Sequence, residues 1–73
     1  MQQVSSGKVE KMLRLRAVLE ARACSKSKLY QDIAEGRFPP PVKLGPKIAA
    51  WPESDIIAEQ QALIAERDRQ RAA

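Results

Sequence analysis

The chain has 73 residues, a formal net charge of +4 at pH 7, one cysteine and no histidine. This length allows one small domain with a thin core, and the single Cys24 excludes an internal disulfide and a cysteine-based zinc site. Because the usual catalytic triads and many metal sites need histidine, we predict no enzyme activity, no cofactor, no metal and no small-molecule substrate.

Positive charge is concentrated in the first two thirds of the chain. Residues 1–47 hold ten basic and four acidic side chains, whereas residues 48–73 hold three and five. Such a distribution favours a polyanionic partner such as DNA, although a solvated basic face explains the charge equally well. No apolar run is long enough for a signal peptide or a membrane span, so we expect no membrane contact and a cytoplasmic location.

The first predicted element is a short helix after a polar start. Residues 1–11 are polar and contain Ser-Ser-Gly, so we predict a flexible arm, followed by one domain over residues 12–73. A helical stripe predicts a first helix over residues 16–22. The stripe consists of Leu15, Val18 and Leu19.

A second helix is predicted over residues 26–35. Ser25 is a good N-cap, and Gly36 suits the left-handed position that follows a helix. Leu29 and Ile33 form its buried seam, because they lie four residues apart. The turn between the two helices has three or four residues.

A β-hairpin follows the proline run at 39–41. Two strands are predicted, over residues 42–44 and 48–51, with Gly45-Pro46-Lys47 between them. Val42 and Leu44 alternate with Lys43, which predicts a first strand with one buried face, and Ala49 and Trp51 share the inward parity in the second. All three aromatic residues suit core positions, namely Tyr30, Phe38 and Trp51.

The last predicted element is a helix over residues 53–68, with Pro52 at its first position and a frayed tail. Apolar residues recur in it at a spacing of seven, which is typical of a seam for a partner helix. The candidate self-association residues are Ile56, Ile57, Leu63 and Ile64. One edge of this helix is expected to pack on the domain.

Two short helices joined by a tight turn predict a helix-turn-helix, in which the second helix enters the major groove of DNA. Setting Leu29 and Ile33 inward points four side chains outward, with Lys26 near the helix start. These four are Ser27, Lys28, Gln31 and Glu35. Lys can read guanine and Gln can pair with adenine; an ordinary solvated helix face is the alternative interpretation.

Further basic residues extend this candidate surface. Lys43 and Lys47 flank the hairpin tip, where they can contact the DNA backbone or minor groove, or simply protect an edge strand from aggregation. Other candidate phosphate contacts are Arg14, Arg16, Arg22 and Arg37. The predicted fold class is mainly α with a small β-hairpin, a winged helix-turn-helix.

Residues 13–57 resemble the AlpA family of prophage-type regulators, relatives of excisionases within the MerR-like winged-helix group. The resemblance is carried by "SKSKLYQDIAEGRFPPPVKLG" and "AAWPESDI". It implies binding to operator or attachment-site DNA. It also implies recognition-helix positions for Ser25, Lys26, Ser27, Lys28, Tyr30 and Gln31, and wing positions for Lys43, Gly45 and Lys47.

Three residues depart from the family pattern. Ala23 replaces the usual glycine in the turn, which costs about 1 kcal/mol if that position needs a positive φ. Cys24 replaces a large aliphatic residue, and we interpret it as a small core residue. Ala50 stands where relatives often carry a basic residue, so one contact to the DNA backbone is expected to be missing.

Three functions remain open at this point. The first is a sequence-specific transcriptional regulator of a prophage or integrative element. The second is a recombination directionality factor that bends attachment-site DNA and works with an integrase. The third, from a different class, is a protein-interaction module that uses the C-terminal helix. In a more limited version of this hypothesis, the helix only promotes self-association of copies bound side by side on DNA.

Overall fold

The computed structural model describes residues 9–72 and contains three helices and a three-stranded antiparallel sheet. The order along the chain is β1 (Met12–Leu13), α1 (Leu15–Arg22), α2 (Lys26–Ala34), β2 (Val42–Gly45), β3 (Ile48–Pro52) and α3 (Glu53–Ala72). The predicted fold class, mainly α with a β-hairpin, is confirmed, and this order agrees with a winged helix-turn-helix.

The first two helices begin and end within one residue of their predicted limits. The Ser25 hydroxyl accepts a hydrogen bond of 3.2 Å from the Lys28 backbone N–H, as expected of an N-cap. Gly36 has a φ of +78°, so it occupies the predicted left-handed position after α2. Local side-chain and backbone preferences therefore set both ends of α2.

The turn between α1 and α2 is strained at Ala23. This residue has φ 56° and ψ 44°, which is the left-handed region that glycine adopts at lower cost. The N–H groups of Ala23 and Cys24 donate to the carbonyls of Glu20 and Leu19, both at 3.2 Å. These bonds hold the turn. Because the position has a positive φ, the predicted cost of about 1 kcal/mol for alanine in place of glycine applies here.

The sheet has the strand order β1-β3-β2, with Leu13 opposite Trp51 and Val42 opposite Ala50. Strand β1 was not predicted, because two residues carry no alternation pattern. The prediction of one buried face for the first strand is wrong, because Val42 and Leu44 are exposed like Lys43 between them, at 45% and 51%. Because β2 is an edge strand, its apolar side chains extend beyond the small core.

The core joins the three helices to the sheet. It consists of Val18, Leu29, Phe38, Trp51 and Ile56, with Cys24 and Ile33 packed against it. The rings of Phe38 and Trp51 lie 6.4 Å apart, and Trp51 Nε1 donates to the carbonyl of Pro39 at 3.0 Å. Tyr30, predicted to suit the core, is exposed. Ala50, where one contact to the DNA backbone was expected to be missing, is fully buried.

Helix α3 is longer than predicted, and it is tied to the start of the domain. It continues past residue 68 to Ala72, and Pro52, predicted at its first position, instead ends β3. The Glu53 and Ser54 backbone N–H groups donate to the Lys11 carbonyl and to Glu10 Oε1, at 2.8 and 2.9 Å. The end of the predicted arm is therefore docked, while residues 1–8 lie outside the described part. Among the described helices, none is apolar and long enough to cross a bilayer.

Candidate nucleic-acid interface

A cationic cleft lies between the start of α1, one side of α2 and the β-hairpin. It has a volume of about 500 Å³ and is lined by Arg14, Arg16, Tyr30 and Lys47, together with apolar Leu15, Ala49 and Trp51. Arg14 and Arg16 come from the start of α1, whereas Lys47 comes from the hairpin, a separate part of the sequence. The structure thus brings together two of the four arginines predicted as phosphate contacts and one predicted wing lysine.

The register of the hairpin adds Lys43 to this surface. Lys43 lies opposite Ala49, which lines the cleft, so both residues share one face of the ribbon. The register shifts between Lys43 and Gly45, so the wing glycine lies at an irregularity of β2. Residues 36–52 contain three basic side chains and no acidic one. Lys43 and Lys47 therefore add positive charge to the hairpin, whereas Arg37 is paired with Asp32 and Glu35.

The outer face of α2 is exposed as predicted. Lys26, Ser27, Lys28, Gln31 and Glu35 are all exposed, as is the capping residue Ser25. Tyr30 lies on the flank that lines the cationic cleft and is 44% exposed. The Gln31 amide donates to Glu35 Oε2 at 3.4 Å, which is a weak contact. The polar face of α2 is thus exposed, although Lys28 also pairs with Asp32 at 3.2 Å.

On the other side of α2, a buried cluster of ionised side chains joins the three helices. Arg22 Nη2 lies 2.7 Å from Asp32 Oδ2, and two hydrogen bonds of 2.6 Å join Arg22 to Glu59. The Arg22 guanidinium also lies 4.7 Å from the centre of the Phe38 ring. Glu59 and Asp32 hold the pKa of Arg22 above its usual value.

This cluster corrects the prediction for Arg22. Its side chain is 9% exposed and is held by two carboxylates, so it is a structural ion pair and not an available phosphate contact. The sequence pattern could not show this, because Glu59 lies 37 positions away.

Asp32 was missed by the sequence analysis. It is 3% exposed, and hydrogen bonds from Arg22, Arg37 and Lys28 lower the pKa of its carboxyl well below the usual range. A signal was present, because Asp32 lies between Leu29 and Ile33 on the inward side of α2. An acidic residue on a buried helix face needs cationic partners, which here are the neighbouring arginines.

Arg37 is both a member of the ion-pair cluster and a partly exposed candidate for a phosphate contact. It pairs with Asp32 at 2.7 Å and also with Glu35, yet 51% of its side chain is exposed. These carboxylates hold the pKa of Arg37 above its usual value, with Asp32 the larger cause. Part of the guanidinium therefore remains accessible from solvent.

Helix α3 exposes part of its predicted seam. Ile57, Leu63 and Ile64 are 44%, 62% and 49% exposed. Ile56, which was predicted with them, is 3% exposed and belongs to the core, so this part of the prediction is wrong. Beyond Gln60, whose side chain donates to the Ala21 carbonyl at 3.2 Å, almost every described residue of the helix is exposed.

Comparisons with known proteins match a part of the chain that contains most of this candidate interface. The family described as "Prophage CP4-57 regulatory protein (AlpA)" matches residues 11–61 of the chain. A relative from Enterobacteria phage P4, named "Uncharacterized protein ORF88", is 40% identical over 60 residues, which cover 82% of this chain and 68% of that protein. No solved structure gives a significant match. The family match includes the cationic cleft, both short helices and the hairpin.

Proposed function

Because the chain belongs to the AlpA family of prophage regulatory proteins, which makes it a phage-associated DNA-binding regulator, we propose that it recognises specific double-stranded sequences. We propose further that it regulates transcription in a prophage or integrative element. It does so from the bacterial cytoplasm, in contact with the nucleoid.

The observation that carries this proposal is the cationic cleft beside the exposed face of α2. Arg14, Arg16 and Lys47 lie on one surface with Tyr30, although they come from α1 and the hairpin. Basic groups beside a recognition helix fit a phosphate backbone that borders the major groove. We propose that the cleft holds phosphates of one strand while α2 lies in the groove.

Sequence is then read by the polar face of α2. Gln31 lies near the middle of this face and can form two hydrogen bonds with adenine, while Lys28 can donate to guanine. The leading end of the helix carries Ser25, Lys26 and Ser27. The short side chains of the two serines allow close approach to the DNA backbone. Tyr30 can donate its hydroxyl to a phosphate in the cleft.

The experiment that tests this proposal selects duplexes from a randomised pool with the wild-type protein. Affinities for a selected duplex and for a shuffled one are then compared at several salt concentrations. We expect a clear preference for the selected duplex and a steep fall in affinity with salt. Equal affinity for both duplexes contradicts sequence recognition, and no binding at low salt contradicts DNA binding altogether.

The same surfaces would serve a recombination directionality factor acting with an integrase. That role requires the protein to bend the DNA, at a cost of about 1–6 kcal/mol that extra contacts offset. Circular-permutation gel shifts on the selected duplex measure the bend. A strong bend, together with stimulation of excision by a cognate integrase, would assign the recombination role in place of transcriptional regulation.

The exposed part of α3 favours a second activity, which is self-association on DNA. Ile57 and Ile64 are seven residues apart and both about half exposed. The part of α3 beyond Gln60 spans only about 12 residues, a length at which a lone helix is marginal in water. The helix also carries acidic residues in its first turn and arginines in its last turn. An antiparallel second copy would pair these opposite charges, so α3 is the surface we propose for contact between neighbouring copies.

A further inference from the structure

Asp32 lies inside the DNA-binding helix α2, and its two carboxylate oxygens have different partners. Oδ2 contacts the buried Arg22 guanidinium at 2.7 Å. Oδ1 contacts Arg37 Nη2 at 2.7 Å and Lys28 Nζ at 3.2 Å. One oxygen therefore binds the interior of the protein, and the other binds two cations at its surface.

The inner contact fixes the carboxylate. Arg22 is held by Glu59 from α3 and by the face of the Phe38 ring, and its side chain is 9% exposed. Rotation of the Asp32 carboxylate would break this contact in a region shielded from water. Asp32 Oδ1 thus has a fixed position relative to the backbone of α2.

The outer contact holds two cations close together. Lys28 and Arg37 are each about half exposed, at 53% and 51%, and both lie within 3.2 Å of the same oxygen atom. Two positive groups at such a separation repel one another unless an anion lies between them. Without Asp32, the long side chains of Lys28 and Arg37 would separate and sample many rotamers.

We infer that Asp32 is a positioning residue for DNA recognition, which holds Lys28 and Arg37 side by side on the surface that meets the duplex. This role rests on the proposed DNA binding. Lys28 is the candidate base contact on α2, and Arg37 is a candidate phosphate contact just beyond its end. Because both are already ordered, less conformational entropy is lost when DNA binds.

Bulk electrostatics and positioning predict different results for the loss of this carboxylate. Removing an acidic group from a DNA-binding surface strengthens binding to every sequence. Losing the position of Lys28 instead weakens binding to the preferred sequence relative to other sequences. The ratio of the two affinities therefore separates the two effects.

The experiment compares Asp32→Asn with Glu35→Gln, using a duplex selected by the wild-type protein and a shuffled duplex. Both variants remove one negative charge from the same end of α2, and both residues pair with Arg37, but only Asp32 contacts Lys28. We expect Asp32→Asn to lower the affinity ratio about tenfold and Glu35→Gln to change it less than about twofold. Equal changes in the two variants would overturn the positioning role.

A Lys28→Ala background tests whether Asp32 acts through this lysine. In that background, adding Asp32→Asn should change the ratio of the two affinities much less than it does in the wild-type protein, because the lysine that Asp32 positions is absent. An undiminished effect would overturn the inference. Thermal unfolding of each variant sets an assay temperature at which all are folded; a lower melting temperature with an unchanged ratio indicates a merely structural role and also overturns it.

A measurement on the wild-type protein covers the case in which Asp32→Asn does not fold. NMR relaxation of the lysine ammonium groups should show restricted motion for Lys28 and free motion for Lys26, which has no ion pair in the described part of the chain. Equal mobility of Lys28 and Lys26 overturns the positioning role while DNA binding stands. A wild-type protein that selects no sequence overturns the proposed function and this role with it.

Discussion

Arg22 and Glu59 meet through two hydrogen bonds of 2.6 Å, which join α1 to α3 across 37 positions of the chain. The same guanidinium reaches Asp32 on α2, so one side chain links all three helices. In a domain with so small a core, this link adds to the few contacts that hold the three helices together. It also fixes the orientation of α2 beside α1.

Replacing Arg22 with methionine should destabilise the protein by about 3–5 kcal/mol, because Asp32 and Glu59 are left without their buried partner. Methionine keeps most of the apolar stem that packs near Phe38. Arg16→Met, on the exposed face of the same helix, should change the free energy of unfolding by less than about 0.5 kcal/mol. Urea unfolding measures both, and similar losses in the two variants would contradict the role of the cluster.

Acid should destabilise the protein through Asp32. Its pKa is lowered in the folded state, so its contribution is fully present above the unfolded-state pKa, about 4, and is lost as the pH falls further toward the folded-state pKa. Asp32→Asn should be less stable at neutral pH and less sensitive to acid below about pH 4. Thermal melts between neutral and acidic pH check this, and parallel pH profiles for the two proteins would refute it.

A second carboxyl contributes to the same acid response. Hydrogen bonds from Ser54 lower the pKa of Glu10, so this residue adds stability with the same sign and in the same pH range. Glu10→Gln is therefore the matched comparison in those melts. Because Glu10 is exposed, its effect should be smaller than that of Asp32.

Ala23→Gly should stabilise the protein by about 1 kcal/mol, because the left-handed backbone at this position suits glycine. Ala21→Gly is the matched control, since it lies within α1 and should destabilise by about 0.5–1 kcal/mol. Chemical denaturation of both variants gives the two signs. A loss of stability in Ala23→Gly would show that the turn is not strained.

Lys47→Ala and Gln31→Ala should affect DNA binding in different ways. Loss of Lys47 should weaken binding to all duplexes and reduce the slope of log affinity against log salt by about one. Loss of Gln31 should cost about 1–3 kcal/mol on the selected duplex and relax its sequence preference. Arg71→Ala, which removes a charge outside the cationic cleft, should change neither quantity; fluorescence anisotropy titrations measure all three.

Ile64→Glu should weaken association between copies, because it places a charge in the exposed stripe of α3. Ala65→Glu adds the same charge to a different face of the helix and should have little effect. Sedimentation with and without the selected duplex shows whether association needs DNA. If both variants sediment like the wild-type protein under both conditions, α3 is not the contact surface.

The sequence by itself determined the local elements. Ser25, Gly36 and the Leu29–Ile33 spacing set the limits of α2, since each acts on backbone within a few residues. The hairpin and the exposed polar face of α2 were predicted for the same reason. The charge distribution, the two short helices and the family resemblance together gave the expectation of DNA binding, and the family match agrees with it.

Only the tertiary structure decided which basic and apolar side chains are available. Arg14 and Arg22 are both arginines near α1, yet one lines the cleft and the other is buried against Asp32 and Glu59. Likewise Ile56 and Ile57 are neighbours, but only Ile56 faces the core. A side chain's partners depend on which distant segments pack against it, and periodicity within one helix does not contain that information.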